Sequence, residues 1–112
     1  MAITVTAIKE LQEYFNGIMD RANHHANNVD EVILTLAGGV IWKSTDDFKV
    51  RTYNGEMANI LWMYVDNKTY CFKFDHNSGD ILVCKGGQNG NVVATFNNQS
   101  TATEIKDFFD KL

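Results

Sequence analysis

The chain contains no proline, two cysteines and no long apolar run, and its basic residues are outnumbered by acidic ones. Without proline, breaks between elements fall to glycine, asparagine and aspartate, the residues that tolerate left-handed backbone in tight turns. Two cysteines in 112 residues do not make the disulfide framework of a small secreted domain. No stretch approaches the roughly 18 apolar residues that a membrane helix needs. The start, Met1-Ala2-Ile3-Thr4-Val5, lacks the basic flank and long apolar core of a signal peptide. A cytoplasmic protein with no membrane partner is expected. The net charge of −4 disfavours non-specific binding to nucleic acid.

What is present is an ordinary globular composition, 45% hydrophobic and 21% charged, in one domain spanning residues 1–112. From Thr6 the apolar positions Ile8, Leu11, Phe15, Ile18, Ala22 and His25 recur at spacings of three and four, the stripe of an amphipathic helix. Thr6 suits its N-cap and Asn27-Asn28 its stop. The period then changes to two. Val32, Leu34 and Leu36 alternate with Ile33 and Thr35, and Gly38-Gly39 separates them from Val40-Ile41-Trp42-Lys43, which reads as strand, turn, strand. Phe48 to Tyr53 alternates apolar with basic, and Asn54-Gly55 turns the chain. Ile60 to Val65 is apolar throughout, as in a strand covered on both faces.

Turns at Asn67-Lys68 and around Asn77-Ser78-Gly79 predict two successive hairpins, and Val92 to Phe96 a last strand. Thr101 and Glu104 have capping-box spacing, Ile105, Phe108, Phe109 and Leu112 form an apolar helical face, and Lys111 sits at the helix's negative end. The expected fold is α+β: a single, mostly antiparallel sheet of about five to six strands, with an N-terminal and a C-terminal helix packed on one face.

A hairpin tip at Asn67-Lys68 sets Val65 opposite Tyr70, Met63 opposite Phe72 and Leu61 opposite Phe74, giving one continuous apolar face. The following hairpin pairs Phe72 with Val83 and Cys71 with Cys84, and it too assigns Phe72 to the core. By alternation the other face carries Trp62, Tyr64, Cys71, Lys73, Leu82 and Cys84, joined by Lys43, Lys49, Arg51 and Tyr53. The acidic residues fall in helices, turns or strand ends, so an acidic protein keeps one locally basic, aromatic face. Arg51, Lys73, Lys49, Lys43, Trp62, Tyr64 and Tyr53 are the candidate contact residues, suited to stack a planar group or hold an anion. The alternatives are a face covered by a second copy and an ordinary solvated face; the first two are compatible, since ligands often bind where protomers meet.

Catalytic chemistry finds less support. In a cytosolic chain Cys71 and Cys84 are expected as reduced, packed thiols, and with no histidine placed beside them as a base a Cys–His nucleophile is weakly supported. His24 and His25 point about 100° apart on a helix, and Asp20 with His24 is half a metal site without a second half. His76 lies in Asp75-His76-Asn77-Ser78-Gly79-Asp80, which lacks the ligand series and closing glutamate of a calcium loop. Gly86-Gly87-Gln88-Asn89-Gly90 lies between strands without a P-loop lysine and hydroxyl. Asp46 and Asp47 adjoin on a loop and need not converge as an acid–base pair. Neither a metal nor a cofactor is implied.

Ala58-Asn59-Ile60-Leu61-Trp62, Tyr70-Cys71-Phe72, His76 with Gly79-Asp80-Ile81, and Phe96-Asn97-Asn98 leading to Glu104-Ile105 and Phe108-Phe109 resemble the integron gene-cassette α+β proteins. That resemblance implies a mobile-element accessory gene and carries no catalytic residues. At the level of fold the chain is also similar to phage proteins of the Thoeris anti-defence type, which sequester cyclic ADP-ribose-type signals. That likeness would imply a nucleotide pocket between protomers. The sequence therefore supports a non-enzymatic, self-associating binding protein, a dimer first among homo-oligomers. Capture of a small anionic nucleotide-like ligand is the alternative, and an enzyme of unrecognised class comes third.

Overall fold

The computed structural model describes residues 12–13, 16–17, 19–20, 29–53, 56–75 and 77–112. Residues 12–13, 16–17 and 19–20 are helical, with Gln12, Glu13, Asn16 and Asp20 exposed. The expected apolar stripe from Ile8 to His25, its cap at Thr6 and its stop at Asn27-Asn28 lie outside the described residues, as do His24, the turn at Asn54-Gly55 and His76.

The first long element corrects the sequence reading. Val32–Lys43 is one helix, α1, rather than two strands around a Gly38-Gly39 turn. Val32, Leu36 and Val40 are its buried positions, four apart, and Val29, three residues before the first, is buried as well. Because nearly every residue between Val32 and Trp42 is apolar, that spacing is hidden in the sequence, and the β-branched content points towards a strand. Two long-range contacts decide the matter. Glu31, at the N-cap position, makes no side-chain cap; instead Asn98 Oδ1 accepts from the Glu31 and Val32 amides at 3.0 and 2.9 Å, while its Nδ2 donates to Asp30 Oδ1 at 2.8 Å. Gly39 then permits close approach: any Cβ there would overlap the Phe109 ring. Glycine inside a helix costs roughly 0.5–1 kcal/mol relative to alanine, which this approach offsets.

The sheet follows as β1 (Lys49–Tyr53), β2 (Glu56–Val65), β3 (Lys68–Asp75), β4 (Asp80–Lys85) and β5 (Asn91–Phe96), and α2 (Ala102–Asp110) closes the chain. The strands lie in sequence order and each pair is antiparallel, so the α+β architecture with an antiparallel sheet is as expected. Thr101 caps α2 by accepting from the Glu104 amide at 3.1 Å. Around the β3–β4 turn, Asp75 accepts from the Asn77 amide at 3.0 Å and the Ser78 hydroxyl at 3.1 Å, which is turn chemistry.

The β2–β3 register differs from the expected one by two residues. The turn is Asp66-Asn67, with Asp66 at φ 55°, a conformation that aspartate tolerates. Val65 therefore pairs with Lys68, Met63 with Tyr70 and Leu61 with Phe72. A two-residue slip returns each side chain to its face, whereas a one-residue slip would have reversed the strand. The β3–β4 register is as read, with Cys71 opposite Cys84 and Phe72 opposite Val83.

Helices α1 and α2 pack on one face. Leu61, Met63, Val65, Tyr70, Phe72, Ile81, Val83 and Phe96 form a single cluster with Val32, Leu36 and Val40 of α1 and Ile105 and Phe109 of α2. Phe72 stacks on Phe109 at 6.1 Å, and Phe108 meets both Phe96 and Phe109 edge-on at 5.5 and 5.2 Å. Burying each such ring contributes about 1.5–3 kcal/mol.

Candidate functional site: a basic and aromatic sheet face

Strand pairing lays the opposite face out in rows. Lys49 is opposite Trp62, Trp62 opposite Cys71, Cys71 opposite Cys84, and Cys84 opposite Val92. In the next row Ile60 is opposite Lys73, Lys73 opposite Leu82, and Leu82 opposite Thr95. Ile60, Cys71 and Cys84 are buried as a second small cluster with Trp62 packed against it.

Cations lie over this cluster. The Arg51 guanidinium sits 5.6 Å from the Trp62 ring centre, and the Lys49 ammonium 5.6 Å from that of Tyr64, within cation–π range. Gln88 ties two of the three together: Arg51 Nη2 donates to its side-chain Oε1 and Lys73 Nζ to its backbone carbonyl, both at 2.8 Å. The chain reaches this position through Gly86 and Gly87, at φ 97° and 136°, where side-chain-bearing residues are strained. The glycine-rich loop thus bends back to the sheet face. Sequence reasoning missed Gln88; its one signal was that loop directly after a strand. Among the described residues no carboxylate is within ion-pairing distance of Lys49, Arg51 or Lys73.

Arg51, Lys73, Lys49, Trp62 and Tyr64 therefore share one face. Lys43 does not, because its segment is helical: it ends α1, with its ammonium 4.6 Å from the centre of the Trp42 ring. Tyr53 pairs with Glu56 in the sheet, and its side chain lies outside the described residues.

Among the described residues the site offers no activated nucleophile. Burial pushes the Cys71 thiol above its ordinary pKa, Cys84 adds to that, and Lys73 and Arg51 oppose it. Cys71 and Cys84 are both free thiols, fully buried. Among the described residues no three metal-ligating side chains gather, and no helix is long and apolar enough to cross a membrane.

A second exposed feature was not anticipated. On α1, Leu34, Ile41 and Trp42 are 57%, 48% and 54% exposed, and on β5 Val92 and Val93 are 53% and 46% exposed. Leu34, Gly38, Ile41 and Trp42 follow at spacings of four, three and one, so the outward side of α1 is apolar as well as its inward side. A helix apolar on all sides is normally covered on all sides. Beside β5, an open groove of about 630 Å³ runs between the strand and α2.

The fold and this face define an α+β protein with a cation- and aromatic-lined sheet surface. Residues 11–106 match the family model described as the integron cassette protein VCH_CASS1 chain. The chain belongs to that family, which places it among mobile-element accessory proteins. The matched span contains Ala58 to Trp62, Tyr70 to Phe72 and Phe96 to Asn98, on which the resemblance was based, and ends two residues before Phe108. No curated protein matches the chain significantly.

Proposed function

We propose that the protein is a non-enzymatic accessory protein that acts by binding and associates with its own copy. The observation that carries this reading is the exposed apolar set Leu34, Ile41, Trp42, Val92 and Val93. Large apolar side chains scattered singly are normal, whereas here three fall on one helix and two adjoin on a strand, a grouping that favours an interface. The expected interface was the sheet face opposite the helices. There, however, Ile60, Cys71 and Cys84 are buried and the rings carry cations of the same chain. Self-association accordingly goes to the exposed apolar surface of β5 or that of α1, and the cation-bearing part of the sheet face is left for a ligand. Light scattering at rising concentration tests this: the chain should shift from one copy to two. A scattering mass of one chain throughout would remove the reading.

The second reading, capture of a small anionic nucleotide-like ligand, is favoured by Lys49, Arg51 and Lys73 lying on one face without a carboxylate partner among the described residues. Arg51 and Lys73 would meet phosphates, releasing Gln88, while Trp62 or Tyr64 stacks a base. Each charge-assisted contact contributes about 1.5–3 kcal/mol. A thermal-shift screen over nucleotides, dinucleotides and metals should give a ligand-specific rise in melting temperature. Arg51→Ala and Lys73→Ala should both weaken the titration; curves unchanged in both variants would end this reading.

A further inference from the structure

The two edges of the sheet are treated differently. β1, Lys49-Val50-Arg51-Thr52-Tyr53, alternates cations along its length, a common guard against further strand pairing. β5 is the other edge, and Asn91-Val92-Val93-Ala94-Thr95-Phe96 contains no charge and no proline. Each edge strand carries one bulge, at the Val50–Thr52 step of β1 and at Val93 of β5, so charge is what separates the two edges, and Val93 remains an exposed valine. An edge strand presents a row of backbone donors and acceptors whose natural partner is another strand.

We propose that β5 pairs antiparallel with β5 of a second copy about a two-fold axis near Val93 and Ala94, joining two five-stranded sheets into one. This rests on the self-association reading and names its surface. A second copy fits better than a foreign strand for two reasons. Uncharged β5 brings no like charges together on itself, and a two-fold contact must be complementary to its own copy. The adjoining helix meets that requirement. Residues 97–101 connect β5 directly to α2, so chain direction places Glu104 towards the Phe96 end of β5 and Lys111 towards its Asn91 end. Glu104, Asp107 and Lys111 all line the groove beside β5, with Lys85. Antiparallel doubling brings Glu104 of one copy towards Lys85 and Lys111 of the other. Only Asp107, nearest the axis, faces its like. Pairing six residues of strand falls short of the roughly 1,600 Å² of a standard interface; α2 and the groove supply further surface.

The test combines amide exchange with sedimentation on the full chain. As concentration rises through the association range, amides of residues 91–96 should exchange at least about tenfold more slowly, with those of α1 unchanged. Val93→Lys, at an exposed position, should abolish association while leaving β3 and β4 amides protected, Asp107→Asn should tighten it, and Trp42→Gln should leave it intact. Association that persists with β5 exchange unchanged, and is lost instead in Trp42→Gln, would overturn the edge pairing but keep self-association. A single-copy species at every concentration would overturn both.

Discussion

On the helix side of the sheet, Met63, Val83 and Phe109 are fully buried or nearly so within a cluster drawn from α1, α2 and four strands. On the other side Cys71 and Cys84 are as fully buried, but in a cluster of three residues with Trp62 packed against it and cations over its rings. The first side is a core held by many interlocking side chains, so its residues answer chiefly to packing. The second is thin, and its outer layer carries cations, aromatic rings and the exposed Val92. Stability resides on one side, and the chemistry available to a ligand on the other.

Substitutions should therefore separate stability from binding. The largest loss is expected from Phe109→Ala, about 3–5 kcal/mol in denaturant unfolding, because Phe109 touches Phe72, Phe108 and the notch at Gly39. Gly39→Ala comes next: the added Cβ overlaps the Phe109 ring, and overpacking of this kind costs about 1–3 kcal/mol, against a helix-propensity gain of about 1 kcal/mol. A net stabilisation would show that α1 and α2 are not in close contact. Asn98→Ala, which uncaps α1, should cost about 1 kcal/mol, seen also as faster exchange of the first α1 amides. On the opposite side, Arg51→Ala should change stability by less than about 0.5 kcal/mol while weakening any anion titration.

The raised Cys71 thiol supplies a pH test of the thin side. A folded-state pKa above the unfolded value means that the folded chain holds this proton more tightly. The corresponding stability is full below the ordinary thiol pKa of about 8.5 and is lost as pH rises through and beyond it. Unfolding midpoints should fall in that window, and less steeply in Cys71→Ala. Native Cys71 should also resist thiol reagents at neutral pH, reacting only on unfolding. Rapid labelling of the folded chain would show that this side is open.

How far the sequence disclosed these features follows from their range. Strand alternation sorted Met63, Phe72 and Val83 from Trp62, Lys73 and Cys84, because side-chain direction depends only on parity along a strand. It survived an error of two residues at the Asp66-Asn67 turn, where adjacent Asp, Asn and Lys leave the tip ambiguous. Helix α1 was not legible, since an apolar run has no period and the contacts that decide it, Asn98 with Glu31 and Val32 and Phe109 with Gly39, join residues more than sixty positions apart. Lys43 was misplaced for the same reason. Gln88 escaped notice because its backbone carbonyl acts as much as its side chain, and a backbone group has no signature in composition.

Sedimentation velocity over a hundredfold range of concentration bears most directly on the claim that the chain associates with its own copy through its exposed apolar surface. The predicted result is a boundary that moves from the one-chain to the two-chain sedimentation coefficient as concentration rises. A boundary fixed at the one-chain value across the range would contradict it.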